Sequence, residues 1–319
     1  MAQSEPGTQH GGIEEEESLT SNLPMREGWR APFYLYQGCW LPPQFIKTIM
    51  SVQAQFQPRQ DDIILATYPK CGTTWLKALA FTIVNRGSHP ITSNGHPLLS
   101  RNPHDLVPYL EQPREHLQSA TELEALPSPR LLCTHIPLTL LPVCSTLNCR
   151  IVYLCREPKD VIVSFWHHVK KVGEDIDLNR AFDLFADGLS IYGPLWEHYL
   201  GYWKQSKIEP DKVLFLKYEE MIVEPAKYVK MLAEFLHVPF TNEEESSGVV
   251  DDVVRLCSFE TLKGLSVNSH GVSERIGTDN SLFFRSAKIG DWRNHLSEEM
   301  AQKFDRIIEE KFRGSGLTF

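Results

Sequence analysis

The chain has 319 residues, of which 42% are hydrophobic and 23% are charged, a composition that excludes a fibrous or largely disordered protein. Its 41 acidic against 32 basic residues give a formal net charge of −9, which argues against a broad basic surface for nucleic acid. No apolar run approaches the ~20 residues of a membrane-spanning helix, and the first residues lack the pattern of a secretion signal. We therefore expect a cytoplasmic protein without a nucleic-acid or membrane partner.

The beginning of the chain differs in composition from the rest. Residues 1–20 are rich in Gly, Ser, Gln and Glu and contain almost no apolar anchor. Such a segment cannot offset the entropy of ordering, so a flexible acidic tail is predicted over 1–20. No long Gly, Ser or Pro linker divides the remainder, which predicts a single domain over 21–319.

Four short apolar runs predict strands that are buried on both faces. They are Ile63–Ala66, Arg130–Cys133, Arg150–Cys155 and Lys212–Leu216. Helical periodicity follows in Trp75–Phe81, Asp160–Trp166 and Ala226–Phe235. Strands that alternate with helices predict an α/β fold with a parallel sheet, and such sheets bind ligands beyond the carboxyl ends of their strands.

Three stretches show no regular period: Asn94–Pro129, Lys170–Asn179 and Ser266–Asp291. Long loops of this kind form lids or substrate walls in some proteins and plain surface loops in others. The seven cysteines are an odd number and lack the paired spacing of a zinc site, so we expect neither disulfides nor a metal.

The segment Tyr68–Trp75 is predicted to be a turn between the first strand and its helix. Gly72 allows a phosphate to approach the backbone, the first N–H groups of the helix favour negative charge, and Lys70 adds a cation. The alternative is a helix that is capped by threonine, with Lys70 in solvent. Because the lysine precedes the glycine, the segment does not match the Walker A pattern G-x-x-x-x-G-K-[ST].

Arg156 follows the third strand, and Ser164 lies eight residues further on. An arginine can bind a phosphate through two hydrogen bonds, and a hydroxyl can add another. Equally, Arg156 could pair with Asp160 while Ser164 bonds to its own helix. A magnesium-dependent kinase would need an Asp at such a strand end, so Arg156 counts against that class.

His135 ends the second predicted strand at the same edge of the sheet. A neutral histidine can take a proton from a hydroxyl, although a single histidine at a strand end is more often structural. An anion site on either side of it favours the catalytic interpretation.

Taken together, these segments resemble the cytosolic sulfotransferase family, in particular its plant branch. The matching segments are Tyr68–Trp75, Thr134–His135, Arg156–Ser164, Lys217–Glu220, Cys257–Phe259 and Phe284–Trp292. The resemblance implies a P-loop-like α/β fold and transfer of a sulfuryl group from 3′-phosphoadenosine 5′-phosphosulfate (PAPS) to an alcohol or phenol. No metal is implied, because a sulfuryl group carries less negative charge than a phosphoryl group.

The resemblance also implies a role for each matching residue. His135 would be the general base and Lys70 would stabilise the leaving phosphate. The donor would be bound by Lys70, Cys71, Gly72, Thr73, Thr74, Trp75, Arg156, Ser164, Tyr218, Phe259, Arg285, Ser286 and Ala287. Trp166 and His168 are candidate acceptor contacts, with core packing or exposure as the alternative for each.

The sequence departs from the family pattern at several positions. Cys71 stands where a serine is usual, Cys133 where many members have lysine, and Ser286–Ala287 where Lys-Gly is usual, which puts donor affinity in doubt. The dimer motif of animal members is not matched, so we expect a monomer. An ATP-dependent small-molecule kinase and an idle nucleotide- or hormone-binding relative are the alternatives. The acceptor is predicted only as a small phenolic, such as a flavonol, or a plant hormone.

Overall fold

Four parallel strands form the central sheet, in the order β5 (Leu131–Thr134), β4 (Ile63–Thr67), β6 (Arg150–Cys155) and β7 (Val213–Lys217). The computed structural model describes residues 19–111, 123–142, 149–173 and 175–319. Each strand is parallel to its neighbours in the sheet. The parallel α/β sheet predicted from the sequence is therefore confirmed. The predicted tail over 1–20 lies outside the described residues except for its last two.

Helices pack on both faces of this sheet: α-helices follow β4, β6 and β7, and a short 3-10 helix, Leu138–Leu140, follows β5. Within the described ranges the α-helices are Pro43–Gln55, Thr73–Asn85, Pro103–Leu106, Pro158–Lys171, Leu178–Ala186, Leu195–Ile208, Tyr218–Val223, Pro225–Phe235, Asn242–Ser246, Val249–Leu256, Phe259–Gly264, Ser266–His270 and Glu298–Phe312. Every residue of β4 is buried. Ile64 packs into the core on one face, and Leu65 packs into the core on the other. Burial on both faces explains why these strands read as continuous apolar runs.

A small antiparallel sheet precedes the central one and was not predicted. It consists of β1 Met25–Arg26, β2 Phe33–Tyr36 and β3 Cys39–Leu41. Gln37 and Gly38, at φ 47° and 85°, form the tight turn between β2 and β3, and turns with two positive φ values match the twist of a hairpin.

The three stretches predicted to be irregular contain short helices. Pro103–Leu106 lies in the first, Leu178–Ala186 begins at the end of the second, and Ser266–His270 opens the third. Side-chain caps begin two of these helices, since Asn102 accepts from His104 N–H and Asp177 accepts from Asn179 N–H. Pro103–Leu106 and Ser266–His270, with four and five residues, are too short for a period to predict them. Residues 112–122 of the first stretch and residue 174 of the second lie outside the described ranges.

Candidate active site

The carboxyl ends of the four parallel strands meet at one edge of the sheet, as expected for this architecture. Lys70 follows β4, His135 follows β5, Arg156 follows β6 and Tyr218 follows β7. All four line one cavity of about 730 Å³. Four segments that are distant in sequence therefore contribute to a single site.

The turn after β4 is tightly wound. Lys70 has φ 72° and Gly72 has φ 100°, and the Cys71 N–H donates to Tyr68 O at 3.2 Å. A Cβ on Gly72 would lie 2.9 Å from the Tyr218 ring. A lysine in the left-handed region is uncommon, and such backbone strain concentrates at functional sites.

Only some of the turn's side chains face the cavity. The Cys71 thiol is fully buried, lies 3.1 Å from the Tyr199 hydroxyl and does not line the cavity. Thr73 lines the cavity, and its hydroxyl forms a hydrogen bond with Thr67 Oγ1 at 2.6 Å. Thr74 also lines it, and its hydroxyl lies 3.0 Å from His104 Nε2. The cysteine that stands in place of the usual serine therefore packs into the core and does not face a ligand. The sequence pattern alone does not distinguish these two roles.

His135 is held in one tautomer by its neighbours. Its Nδ1 lies 2.7 Å from the carbonyl oxygen of Thr67, which can only accept, so this nitrogen carries the proton. Its Nε2 is left with a lone pair and lies 3.2 Å from the Tyr109 hydroxyl. Burial lowers the pKa of His135 to about 3. The side chain is therefore neutral at physiological pH, with Nε2 able to accept a proton.

The backbone of His135 is fixed by a buried carboxyl group that the sequence analysis did not identify. Glu111 accepts from His135 N–H at 2.5 Å and from the Thr134 hydroxyl at 2.7 Å. Burial raises the pKa of Glu111 to about 7. On the other side, His198 Nε2 donates to His135 O at 2.8 Å. Glu111 and Tyr109 lie in the stretch without a period, where no local signal marks them.

Basic side chains from three segments converge on the cavity. Lys70, Arg156 and Arg285 all line it, and burial with repulsion from Arg285, Lys171 and Arg156 lowers the pKa of Lys70 to about 8. Arg156 Nε and Ser286 Oγ are buried without a hydrogen-bond partner among the described residues. Because buried polar groups are normally paired, these orphaned donors indicate that the site takes an anion.

Asp160 connects this cluster to the segment 285–292. Its carboxylate accepts from Gly290 N–H at 2.8 Å and Trp292 N–H at 2.9 Å, and Arg156 Nη2 lies 3.3 Å away. The Arg156–Asp160 pair considered from the sequence is therefore present. The same guanidinium donates to Lys288 O at 2.7 Å, so the pair positions Arg156 at the cavity without exhausting its donors.

Aromatic side chains form the adjoining wall. Trp75 and Tyr218 pack edge to face with ring centroids 5.5 Å apart, and the Tyr218 hydroxyl donates to Ala287 O at 3.2 Å. Phe259, the first residue of its helix, lies 6.2 Å from Phe284. Like Ser164, these aromatic residues line the cavity, whose surface there suits a flat ring.

The two candidate acceptor residues are placed differently. His168 lines the cavity, its Nδ1 is buried without a partner in the described chain, and burial lowers its pKa to about 3. Trp166 does not line the cavity, because its indole N–H donates to Ile176 O at 2.9 Å. The apolar part of the wall instead includes Trp29, Phe33, Phe45, Val169, Ile191 and Tyr192.

The fold and its strand-end cavity define a P-loop-like α/β protein. The sequence profile of the sulfotransferase domain matches residues 60–316, and the chain belongs to the sulfotransferase family. Cytosolic sulfotransferase 8 of Arabidopsis thaliana is 46% identical over 311 residues, which is 95% of this chain and 93% of that protein. Cytosolic sulfotransferase 11 of the same plant is 44% identical over 312 residues, 96% of this chain and 88% of its own length. These relatives place the chain in the plant branch.

Solved structures agree with this assignment. A candidate steroid sulphotransferase from Arabidopsis thaliana superimposes with a TM-score of 0.76 at 40% identity and covers 100% of both chains. A mouse sulfotransferase in complex with PAP superimposes with a TM-score of 0.70 at 26% identity, over 89% of this chain and 95% of that one.

Two features are absent from the described ranges. No group of three or more His, Cys, Asp or Glu side chains there could hold a metal ion. None of the helices in those ranges has the length and apolar character needed to span a bilayer.

Proposed function

We propose that this protein transfers the sulfuryl group of PAPS to the hydroxyl group of a small acceptor. The proposal rests mainly on the pairing of an anion site with a base. Lys70 on its strained turn and His135, whose Nε2 carries the lone pair, line one cavity. A sulfuryl transfer needs both a cation at the leaving phosphate and a base at the attacking hydroxyl.

The residues around the cavity fit the parts of the donor. The backbone of Gly72 and the hydroxyls of Thr73 and Thr74 suit the phosphosulfate end, because they stand at a helix N-terminus. Arg156, Ser164, Arg285 and Ser286 suit the phosphate on the ribose. Trp75, Tyr218 and Phe259 suit the nucleoside, with Ala287 at the turn beside them. Cys71 contributes only the shape of the turn, because its thiol is buried against Tyr199.

The chemistry follows from the protonation states of two side chains. PAPS supplies the sulfuryl group when bound. His135 Nε2 accepts the proton of the acceptor hydroxyl, and its own N–H bond to Thr67 O stabilises the imidazolium that forms. The Lys70 ammonium donates to the phosphate oxygen on which negative charge grows.

The acceptor side of the cavity favours a flat or ring-shaped apolar molecule with one hydroxyl near His135. Aromatic side chains dominate there, and His168 offers a neutral polar group. A phenolic such as a flavonol, or a plant hormone, has this character. A monomeric state and a cytoplasmic location remain predictions.

The first experiment is a thermal-shift comparison of phosphoadenosine phosphate (PAP), the donor without its sulfuryl group, with ATP and magnesium. PAP alone should raise the melting temperature, whereas stabilisation only by ATP with magnesium would favour a kinase. Labelled PAPS is then incubated with flavonol, steroid, hydroxyjasmonate and desulfoglucosinolate acceptors. Donor binding without transfer to any acceptor would favour an idle binding protein over an enzyme.

A further inference from the structure

A lysine that no sequence motif singles out lies in the first turns of the helix that follows the strained turn at Lys70 and Gly72. Lys77, on the helix Thr73–Asn85, has 0% relative exposure. Its Nζ lies 3.1 Å from His104 Nδ1 and 3.0 Å from Val107 O. It also lies 3.4 Å from the centroid of the Tyr109 ring. These three partners are uncharged, and burying an ammonium among neutral groups is costly, which lowers the pKa of Lys77 to about 8.

The ammonium of Lys77 determines which nitrogen of His104 carries the proton. An ammonium can only donate hydrogen bonds, so His104 Nδ1 must accept. Burial and the neighbouring Lys77 hold the pKa of His104 well below its usual value, so the ring is neutral. A neutral ring that accepts at Nδ1 carries its single proton on Nε2.

That proton settles the direction of the next hydrogen bond. His104 Nε2 lies 3.0 Å from Thr74 Oγ1, and with Nε2 as the donor the threonine oxygen accepts. The hydroxyl proton of Thr74 is then left to point elsewhere. Thr74 lines the cavity at the N-terminal turn of its helix, where an anion would be bound.

The surroundings keep Lys77 and His104 in this arrangement. The Tyr109 ring stacks on His104 with centroids 5.7 Å apart and planes 12° apart, and its other contacts include the Lys77 amine. On its free side His104 packs on Phe283 at 4.1 Å. An imidazole clamped between two rings cannot easily rotate to exchange its two nitrogens.

We propose that Lys77 is a positioning residue which, through His104, directs the Thr74 hydroxyl proton toward the 5′-phosphate end of the donor. The inference rests on the proposed function. The ammonium does not touch the donor. It selects one of two otherwise similar tautomers of His104. The Thr74 oxygen then accepts from His104, and the Thr74 hydroxyl proton is left for an anion.

A double-mutant cycle on PAP affinity tests this coupling. Thr74→Val should weaken PAP binding about tenfold in calorimetry, the loss expected for one hydrogen bond to a charged group. Lys77→Met, an uncharged side chain of similar length, should weaken it by a similar factor. The double variant should lose no more than either single variant, because both changes remove the same hydrogen bond. A loss of about a hundredfold in the double variant would show independent roles and overturn the proposal.

Variants of His104 test the same coupling without changing the lysine, in case Lys77→Met does not fold. His104→Gln can place an amide N–H near the position of Nε2, so PAP affinity should stay within about twofold. His104→Glu presents carboxylate oxygens that can only accept, so the Thr74 proton should turn toward them and the affinity for PAP should fall about tenfold. Adding Thr74→Val to His104→Glu should then weaken binding no further, whereas simple charge repulsion by the glutamate would leave the loss from Thr74→Val intact. Equal losses in the two variants would overturn the proposal.

The proposed function and the role of Lys77 can be refuted separately. If the unmodified protein does not bind PAP, the proposed function fails together with this inference. If it binds PAP but the cycle is additive, the proposed function stands and only the role of Lys77 is refuted.

Discussion

PAP binding is expected to weaken as the pH rises through the pKa of Lys70. In the free protein this pKa is lowered to about 8 by burial and by the cations Arg285, Lys171 and Arg156. A bound phosphate favours the charged amine, so the pKa of Lys70 in the complex is higher than in the free protein. Above pH 8 the free protein must therefore take up a proton in order to bind. The titration of Lys70 alone should raise the Kd about tenfold between pH 7 and pH 9, because the protonated fraction of its amine falls to about a tenth.

Isothermal titration calorimetry with PAP over this range measures both quantities. The Kd gives the pH dependence, and repeating the titration at pH 9 in buffers of different ionisation enthalpy gives the number of protons taken up. Lys70→Met should bind weakly at every pH and lose the part of the change that comes from Lys70. Lys77→Met removes the second lysine with a pKa of about 8, so it separates the two contributions, and it should keep the part that comes from Lys70. A Kd that stays constant in the unmodified protein, or an unchanged slope in Lys70→Met, would refute the assignment of Lys70.

Three further predictions concern single substitutions. His135→Ala should lower kcat by a factor of about 10² to 10⁴ with little change in the Kd for PAP, and substantial turnover in a folded variant would contradict its role as the base. Asp160→Asn should raise the Kd for PAP about tenfold, because Gly290 N–H and Trp292 N–H lose the charged carboxylate that accepts from them. An unchanged affinity would mean that the Asp160 carboxylate is not needed to hold segment 285–292 in its binding position. Gly72→Ala should lower the free energy of unfolding by about 1–2 kcal/mol in urea titrations, since φ is 100° and the Cβ would meet Tyr218. Gly87→Ala is the control, because a Cβ there would meet nothing within 4 Å. An equal loss of unfolding free energy in the two variants would contradict the predicted strain at Gly72.

The sheet could be predicted from the sequence because its signals are local. The run Ile63–Ala66 is apolar at every position, and in the structure it forms β4, Ile63–Thr67, buried on both faces. The predicted run Arg150–Cys155 coincides with β6. Once these strands are parallel, the residues that follow them must meet at one edge, which is why Lys70 and Arg156 could be placed near each other.

The remaining parts of the site depend on contacts between distant segments. Glu111 lies 24 residues before His135 and Tyr109 lies 26 residues before it, in a stretch without a period. The direction of the Cys71 side chain is set by Tyr199, 128 residues away. Local propensity contains no information on such pairs, so the sequence could name Cys71 as a possible donor but could not show that its thiol packs into the core.

The bond between Arg156 and Lys288 O has a consequence for how the protein is made. These residues are 132 positions apart, and the segment that follows Arg285 also depends on Asp160 for its anchoring. During synthesis, the sheet edge with Lys70, His135 and Arg156 is translated long before segment 285–292 exists. A nascent chain that has not yet reached this segment therefore lacks one wall of the proposed donor site. On this proposal, the capacity to hold a donor arises only late in the synthesis of the chain.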